Sequence, residues 1–300
     1  MSRKFIFFIN PISGTKSKAA LKPLIEKKMR DENLPYQFRD TRKDDTYHFL
    51  PSLIIEEKIT DVIICGGDGT VNQVAAVLIN TNINIGIIPM GSGNGLAFAA
   101  GIPKDPAEAL HIIIHGKVSF IDSFYINDQF SCMLCGIGFD AQVAHDFSKQ
   151  KSRGLSTYIK QTIRNFFKAP VYPFIININD TQIETEAFFI SIANSNQFGN
   201  HVTIAPKASL NDGLLDIVIV NKMSKLNMVY SLLRQVRVGK LQQVSEKGFE
   251  KKGVQYLQTK QLSIQNPSAA PLHIDGEPVN TNTKFEIRIL ENAFKLWQKK

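Results

Sequence analysis

The chain reads as an α/β domain built on a parallel sheet, followed by a β-rich domain of antiparallel, sandwich-like character. Three observations predict this. Apolar runs alternate with amphipathic stretches through the first third. Two glycine-rich turns, GGDGT and GSGNG, each follow an apolar run. From about Lys117 the pattern changes to short alternating or wholly apolar segments with turn residues between them. The expected division is residues 1–123 and 124–300, with the last residues a candidate to return to the first domain.

The elements follow in order. Lys4–Ile9 is an apolar strand, and the loop NPISGTKSK leads to a helix over about Lys18–Arg30. Tyr36–Asp40 is the second strand, with a helical stretch near Asp45–Lys58. Val62–Cys65 is the third strand, and Val71–Ile79 is helical after the GGDGT turn. Ile85–Pro89 is the fourth strand, and a further helix covers Pro106–His115. Short β-α repeats of this kind close into a parallel sheet covered by helices. Both glycine turns then fall at the C-terminal edge of that sheet, where open α/β sheets bind ligands. Beyond Lys117, the segments KVSFIDSFYI, QFSCMLCGIGF, FIININD, AFFISIANS, LLDIVIV, VQYLQTKQLSIQN and KFEIRIL read as strands. Helices are expected near Ala141–Lys149, Ser156–Lys168 and Ser224–Val238.

Composition narrows the class. Three hundred residues, 43% of them hydrophobic, suffice for two cores. Mean hydropathy is near zero, and no apolar run reaches the roughly 18 residues a membrane span requires. The apolar stretch at the N-terminus is only Phe5–Ile9 before Asn10-Pro11, which suits a buried strand better than a signal peptide. A formal charge of +8 favours an anionic partner, whether nucleotide, nucleic acid or acidic lipid surface, although an ordinary basic surface explains it equally well. Cys65, Cys132 and Cys135 are too few for a disulfide scaffold and fit a reducing cytosol. The C-x-x-C pair lacks a second pair of ligands, and the six histidines show no metal-ligand spacing.

The chemistry concentrates in the glycine turns. Gly66, Gly67 and Gly69 let backbone N–H groups approach an anion, and Thr70 adds a hydroxyl at a helix start. Gly91, Gly93 and Gly95 repeat the arrangement at the next strand end, with Ser92 and Asn94 between them. Asn10, Pro11, Ile12, Ser13, Gly14 and Lys16 stand at the first strand end. Neighbouring nests of this kind cradle polyphosphates; the alternative is two tight turns capped by Asp68 and Ser92. A carboxylate such as Asp68 repels phosphate unless Mg²⁺ or a lysine such as Lys16 bridges them. The P-loop, the complete dinucleotide fingerprint and the protein-kinase motifs are all missing.

One family fits these residues. FINPISG, CGGDGTVNQV, IPMGSGNGLA, GIGFDAQV, LNDGLLDIVIV and HIDGEP occur in order across nearly the whole chain. The set resembles the lipid kinases with a diacylglycerol kinase catalytic domain, which include sphingosine and ceramide kinases. GGDGT alone is shared with NAD kinases; the six blocks in order are far more specific. The resemblance implies an ATP-dependent lipid kinase with its active site in the cleft between two domains. ATP and Mg²⁺ would lie against Asn10–Gly14, Lys16, Thr41, Gly66–Thr70, Asn72, Gly91, Ser92 and Asn94. Glu277 would be the catalytic proton acceptor with Asp275 beside it, and Asp68 would organise the metal. The rival for Asp275-Gly276 is a plain hairpin turn.

The same resemblance implies a divalent-ion site from the Asp212 carboxylate and the Ser209 and Leu214 carbonyls, with an Asp-Gly turn as rival. Asp140 would contact the lipid head, with a helix N-cap as rival. Gly95 stands where bacterial diacylglycerol kinase-like members commonly carry Asp, which brings the second turn closer to sphingosine-type enzymes. The basic stretch SKQKSRGLSTYIKQTIRNFFKAP, which includes Lys149, Lys151, Arg153 and Lys160, suits an anionic bilayer or a solvated helix face. The expectation is a cytoplasmic enzyme, peripheral to the inner face of the membrane, with a lipid substrate, no nucleic acid and an exposed sheet edge open to a homodimer. The rivals are an NAD kinase-type phosphotransferase and a non-catalytic lipid-binding relative.

Overall fold

The computed structural model describes residues 3–10, 19–41, 46–149, 169–199, 202–223 and 253–300. The expected helices over 156–168 and 224–238 lie outside these residues, as do Pro11, Ile12, Ser13, Gly14 and Lys16. The chain forms two compact units: Met1–Ile121 with Asn292–Lys300, and Asp122–Glu291.

The first unit carries the parallel sheet. Its strands are β1 (Phe5–Ile9), β2 (Tyr36–Asp40), β3 (Asp61–Gly66) and β4 (Asn84–Pro89), in the order β2-β1-β3-β4. β1 and β3 are buried along their whole length, as uninterrupted Phe/Ile and Val/Ile runs require when helices cover both faces. Helix α1 (Leu21–Asp31) buries Leu21, Ile25 and Met29 at helical spacing. Helix α2 (Leu50–Glu57) starts five residues later than its sequence pattern suggests and ends at Lys58 in the left-handed conformation. Helix α3 (Asp68–Val77) follows β3 after one residue, Gly67. The short α4 (Gly95–Ala99), unexpected in so glycine-rich a segment, precedes α5 (Pro106–His115). The start of α5 is set by Asp105, whose carboxylate accepts from Ala107 N and Glu108 N, and by Pro106.

The C-terminal end of the chain completes this sheet. Strand β17 (Lys284–Gln298) begins in the second unit, and Lys295 and Leu296 pair in parallel with Asn84 and Ile85 of β4. A buried carboxylate holds it there. Asp61 is fully buried and accepts from Trp297 Nε1 at 2.8 Å, Thr60 Oγ1 at 2.6 Å and Arg3 Nη2 at 3.1 Å. The Arg3 guanidinium also donates to the carbonyls of Ile113 and Ile114 and lies 4.2 Å over the Trp297 ring. A buried ion pair with this many satisfied partners fixes one geometry.

The second unit is antiparallel. Its strands include β5 (Lys117–Ile126), which starts in the first unit, β6 (Gln129–Ser131), β7 (Leu134–Gly138), β8 (Tyr172–Ile178) and β9 (Thr181–Ala193). Beyond the short β10 (Gln197–Gly199) and β11 (Val202–Thr203) come β12 (Leu215–Asn221), β13 (Val254–Thr259), β14 (Gln261–Gln265), β15 (Leu272–Ile274) and β16 (Glu277–Val279). The long β9 is the spine, pairing β8 along its first half and both β7 and β12 along its second. The core is a layer of Phe124, Phe174, Phe285 and isoleucines from β7, β8, β9, β12 and β14. Among the described residues of this unit, helix α6 (Phe139–Ser148) follows β7 and packs on β15 and β16.

Candidate active site

In the first unit, the two glycine turns touch. The Met90 N–H donates to the Gly66 carbonyl at 2.8 Å, which sets the ends of β3 and β4 side by side. A Cβ on Gly91 would lie 2.6 Å from the Gly67 Cα, closer than real Cβ atoms come, so position 91 requires glycine, and a Cβ on Gly67 would crowd the Gly91 Cα at 3.1 Å. The Asp68 carboxylate reaches across the junction: a Cβ on Gly93 would stand 2.8 Å from its Oδ2. Asp68 is the first residue of α3, while Gly67 holds the cap position. Its charge therefore sits at the positive end of the α3 dipole, over the neighbouring turn.

Other expected nucleotide residues hold the turns in shape. Asn94 is buried with φ of 56° and binds Gly91 twice, accepting from its N–H at 2.8 Å and donating to its carbonyl at 2.9 Å. Asn10 donates its side-chain amide to Thr70 Oγ1 at 3.0 Å and its backbone N–H to the Cys65 carbonyl. Thr41 is buried, with its N–H on the Ile9 carbonyl. Gly67, Asp68, Gly69, Asn72, Gly91 and Ser92 are partly exposed, whereas Gly66 is buried at the strand end. The junction is a backbone cradle that a Cβ would fill, with one carboxylate beside it. Phosphate fits its N–H groups, and a hard cation fits Asp68. Gly66, Gly67, Gly69 and Gly91 would approach the phosphates, and Asp68 would hold Mg²⁺.

In the second unit, β15 and β16 form a hairpin joined by Asp275-Gly276, both at positive φ (49° and 83°). That is the two-residue turn a hairpin favours. Asp275 departs from the role expected of it. It is 7% exposed, and its carboxylate accepts from Ser131 Oγ at 2.7 Å and from the N–H groups of Cys132, Met133 and Leu134 at 3.0–3.1 Å. With the Cys132 thiol also donating at 3.5 Å, an acid engaged this fully is a clamp between the hairpin and the 131–134 segment, and its lone pairs are committed. Glu277, two residues on, is exposed, and its carboxylate has no hydrogen-bond partner among the described residues.

Asp140 is also buried. It lies inside α6 with Oδ1 accepting from Ala141 N at 2.8 Å, and its Oδ2 lies 3.5 Å from His273 Nε2. It belongs to the helix instead of preceding it. The room for its carboxylate comes from Gly136, where a Cβ would collide with Asp140 Oδ2 and with the His273 ring. Cys135 is fully buried, and its thiol is pushed well up by burial first and then by the charges of Asp275 and Asp140.

The 209–214 segment is pinned by a residue outside it. Asp122 accepts from the Gly213 N–H at 2.8 Å and donates its own N–H to the Leu210 carbonyl at 2.7 Å. Asp212 caps its own turn by accepting from Leu214 N at 3.1 Å, and Ser209 Oγ bonds Asn211 Oδ1 at 3.2 Å. Nearby Asp216 is fully buried, with Tyr256 Oη and Gln258 Nε2 on Oδ1 and a buried Oδ2 that makes no hydrogen bond among the described residues. Burial, and then the Asp212 charge, raise the Asp216 carboxyl to about 7. Among the described residues no three His, Cys, Asp or Glu side chains gather into a metal site. The donor set around Asp212 is hard oxygen, so a divalent cation fits it through the Asp212 carboxylate and the Ser209 and Leu214 carbonyls.

Several of these residues receive no role from sequence reasoning. Asp122 stands in a strand-like run where a polar residue looks incidental, and Gly136, Asp216 and His273 fall inside the GIGFDAQV, LNDGLLDIVIV and HIDGEP blocks without being singled out there. Their partners are distant in sequence, so spacing does not reveal them.

Comparison with known proteins gives this geometry a family. The description "Diacylglycerol kinase catalytic domain" matches residues 4–126, and "YegS C-terminal NAD kinase beta sandwich-like domain" matches residues 134–296. The chain belongs to the diacylglycerol kinase-type lipid kinases. A relative named "Probable lipid kinase YegS-like" from Citrobacter koseri is 30% identical over 277 residues, 89% of this chain and 87% of that one. Its namesake from Serratia proteamaculans is 29% identical over 282 residues, 90% and 87% of the two chains. A crystal structure titled a diacylglycerol kinase from Bacillus anthracis str. Sterne matches with a TM-score of 0.73 at 19% identity, covering 99% of this chain and 97% of that one. That likeness concerns the fold. This lipid kinase is therefore an enzyme with a parallel-sheet first domain and a β-rich second domain, the architecture its sequence predicts.

Proposed function

We propose that this lipid kinase transfers the γ-phosphoryl group of ATP, with Mg²⁺, to a hydroxyl of a diacylglycerol-, sphingoid- or glycerolipid-like acceptor. The observation that carries the reading is the contact of the two glycine turns with Asp68 across their junction. Phosphoryl transfer depends on positioning and on neutralising phosphate charge more than on covalent help. Backbone N–H groups of the turns bind and orient the phosphates. Asp68 holds the cation, which supplies charge neutralisation when bound. Glu277 accepts the proton of the acceptor hydroxyl as its oxygen bonds to the γ-phosphorus and the bond to the β–γ bridging oxygen breaks, releasing ADP. Glu277 suits this role better than Asp275, because its carboxylate is exposed and unengaged among the described residues while Asp275 is committed to Ser131 and the 132–134 segment. Asp140 reads the acceptor's polar head, and a second divalent cation at Asp212 braces the 209–214 segment.

The enzyme works from the cytoplasmic side at a membrane surface. No helix among the described residues is long and apolar enough to cross a bilayer. The basic stretch expected to meet the bilayer lies mainly in residues 150–168, outside the described structure. The test is incubation with γ-labelled ATP and a total lipid extract, followed by identification of the labelled product. A labelled lipid is expected. A second reading, phosphorylation of NAD, is favoured by the NAD kinase-like description of the second domain. NAD in a parallel incubation decides between them: labelled NADP with unlabelled lipid would overturn the lipid reading.

A further inference from the structure

His273 has no part in the mechanism above, yet both of its ring nitrogens face that machinery. It occupies the middle of β15 and is fully buried. Nδ1 accepts the Gly276 N–H at 3.3 Å, inside the turn that presents Glu277. An acceptor at Nδ1 puts the proton of a neutral imidazole on Nε2. Nε2 faces Asp140 Oδ2 at 3.5 Å, and that oxygen is buried with no hydrogen bond among the described residues.

Sequence arranges this meeting. Gly136 pairs directly with His273 across the β7–β15 ladder, and a Cβ there would strike both the ring and the carboxylate. The helix bearing Asp140 is also tied to the hairpin by His145 Nε2 on the Leu272 carbonyl at 3.1 Å. Leaving a carboxylate oxygen buried without a hydrogen bond is costly, so a fold that keeps one holds it for a partner. At 3.5 Å the pair is longer than a formed hydrogen bond, and contacts of this kind tighten when substrate enters.

We propose that His273 is a positioning residue that couples Asp140, which reads the acceptor, to the turn that carries Glu277. The proposal rests on the lipid-kinase reading above. One face of the imidazole sets the turn through Gly276, and the other orients the Asp140 carboxylate. The two hydrogen bonds have separable consequences. Loss of the Gly276 bond lets Glu277 drift and lowers kcat, whereas loss of the Asp140 bond weakens acceptor binding and raises its KM.

Three variants separate the bonds. His273→Asn keeps an acceptor near Nδ1 and loses the donor. His273→Gln extends an amide donor towards Asp140 and loses that acceptor, and His273→Phe loses both. With Mg-ATP and diacylglycerol in mixed micelles, His273→Asn is expected to raise the acceptor KM about tenfold with kcat within about threefold of the parent. His273→Gln is expected to lower kcat by up to about 10²-fold, the scale of a misplaced catalytic group, with a near-parent acceptor KM. His273→Phe shows both effects, and the KM for ATP stays constant throughout. Equal kinetics per folded molecule in all three, with only melting temperatures changed, would overturn the proposal.

A second measurement needs neither activity nor a folded variant. Nitrogen-15 spectra of the histidine rings in the parent are expected to show His273 as the Nε2–H tautomer. The Nδ1–H tautomer would overturn the proposal whichever substrate the enzyme uses. A parent that phosphorylates no lipid while showing the Nε2–H tautomer would overturn the lipid-kinase reading, and the catalytic half of this proposal with it.

Discussion

Two turns in this molecule combine aspartate with glycine and use the pair in opposite ways. In Gly67-Asp68, the glycine makes room for a neighbouring backbone and the carboxylate stays partly exposed over the adjoining turn. In Asp275-Gly276, both residues adopt positive φ, and the carboxylate turns inward onto Ser131 Oγ and three backbone N–H groups. What separates them is where folding puts the carboxylate. An acid that folding surrounds with N–H groups becomes part of the frame. An acid that stays partly exposed beside a backbone turn suits a hard cation. Glu277 is exposed as well, although it is only two residues from Asp275.

Substitutions on the two sides of that divide should separate cleanly. The largest effect is expected at Glu277. Glu277→Gln keeps shape and one acceptor oxygen, so ATP affinity and melting temperature should hold while kcat falls by about 10²–10⁴-fold. Titration of ATP binding alongside product labelling checks this; a near-parent rate would remove Glu277 as the base. Asp68→Asn comes next, with a loss of about 10²–10³-fold, the scale of removing one electrostatic stabiliser of transferring charge. Its melting curve should match the parent, because the side chain is partly exposed. Activity within about threefold, some 0.65 kcal/mol of barrier, would make Asp68 a helix-start residue only.

Asp275→Asn should invert the pattern. The amide turns an N–H₂ group towards backbone donors, and at about 1–3 kcal/mol for each buried donor left unmet, stability should fall by a few kcal/mol. Urea denaturation measures it. A parent-like midpoint with greatly reduced turnover would return Asp275 to the catalytic group and erase the contrast between the two turns.

The sequence made much of this legible, and the reasons are physical. Tyr36–Asp40, Pro106–His115 and Lys117–Ile126 are observed with the expected bounds, since apolar periodicity and the Asp105-Pro106 start signal act locally. The strand-turn-helix at GGDGT was legible because glycine clusters have few other uses. The fate of Asp275 was not. A D-G pair reads as an exposed turn, and its burial depends on donors some 140 residues earlier in the chain. The tail beyond KFEIRIL gave no hint of its length, because Trp297 is held by Asp61, 236 residues away. Helix α4 was hidden by the glycines that make the preceding turn.

Asp216 offers the smallest and sharpest test of the donor-count argument, because it lies between the two extremes. It is as buried as Asp275, but its donors, Tyr256 and Gln258, both serve Oδ1, and Oδ2 has none among the described residues. Burial accordingly outweighs the Gln258 hydrogen bond and the Lys207 charge, and with the Asp212 charge adding to it the carboxyl rises from 3.8 to about 7. A folded-state value above the unfolded one means that the native state holds the extra proton between those two values. Stability should therefore decline as pH rises from about 4 to about 7, and the loss should be complete above that window. Asp216→Asn keeps an oxygen for Tyr256 and Gln258 and carries no charge to desolvate. In EDTA, to keep divalent ions from Asp212, the variant should gain up to about 3 kcal/mol at pH 8, match the parent near pH 4, and lose this part of the pH slope. Urea midpoints at the two pH values measure the difference. An equal decline in both proteins would show that Asp216 titrates normally, and that counting donors does not suffice to sort the acids of this fold.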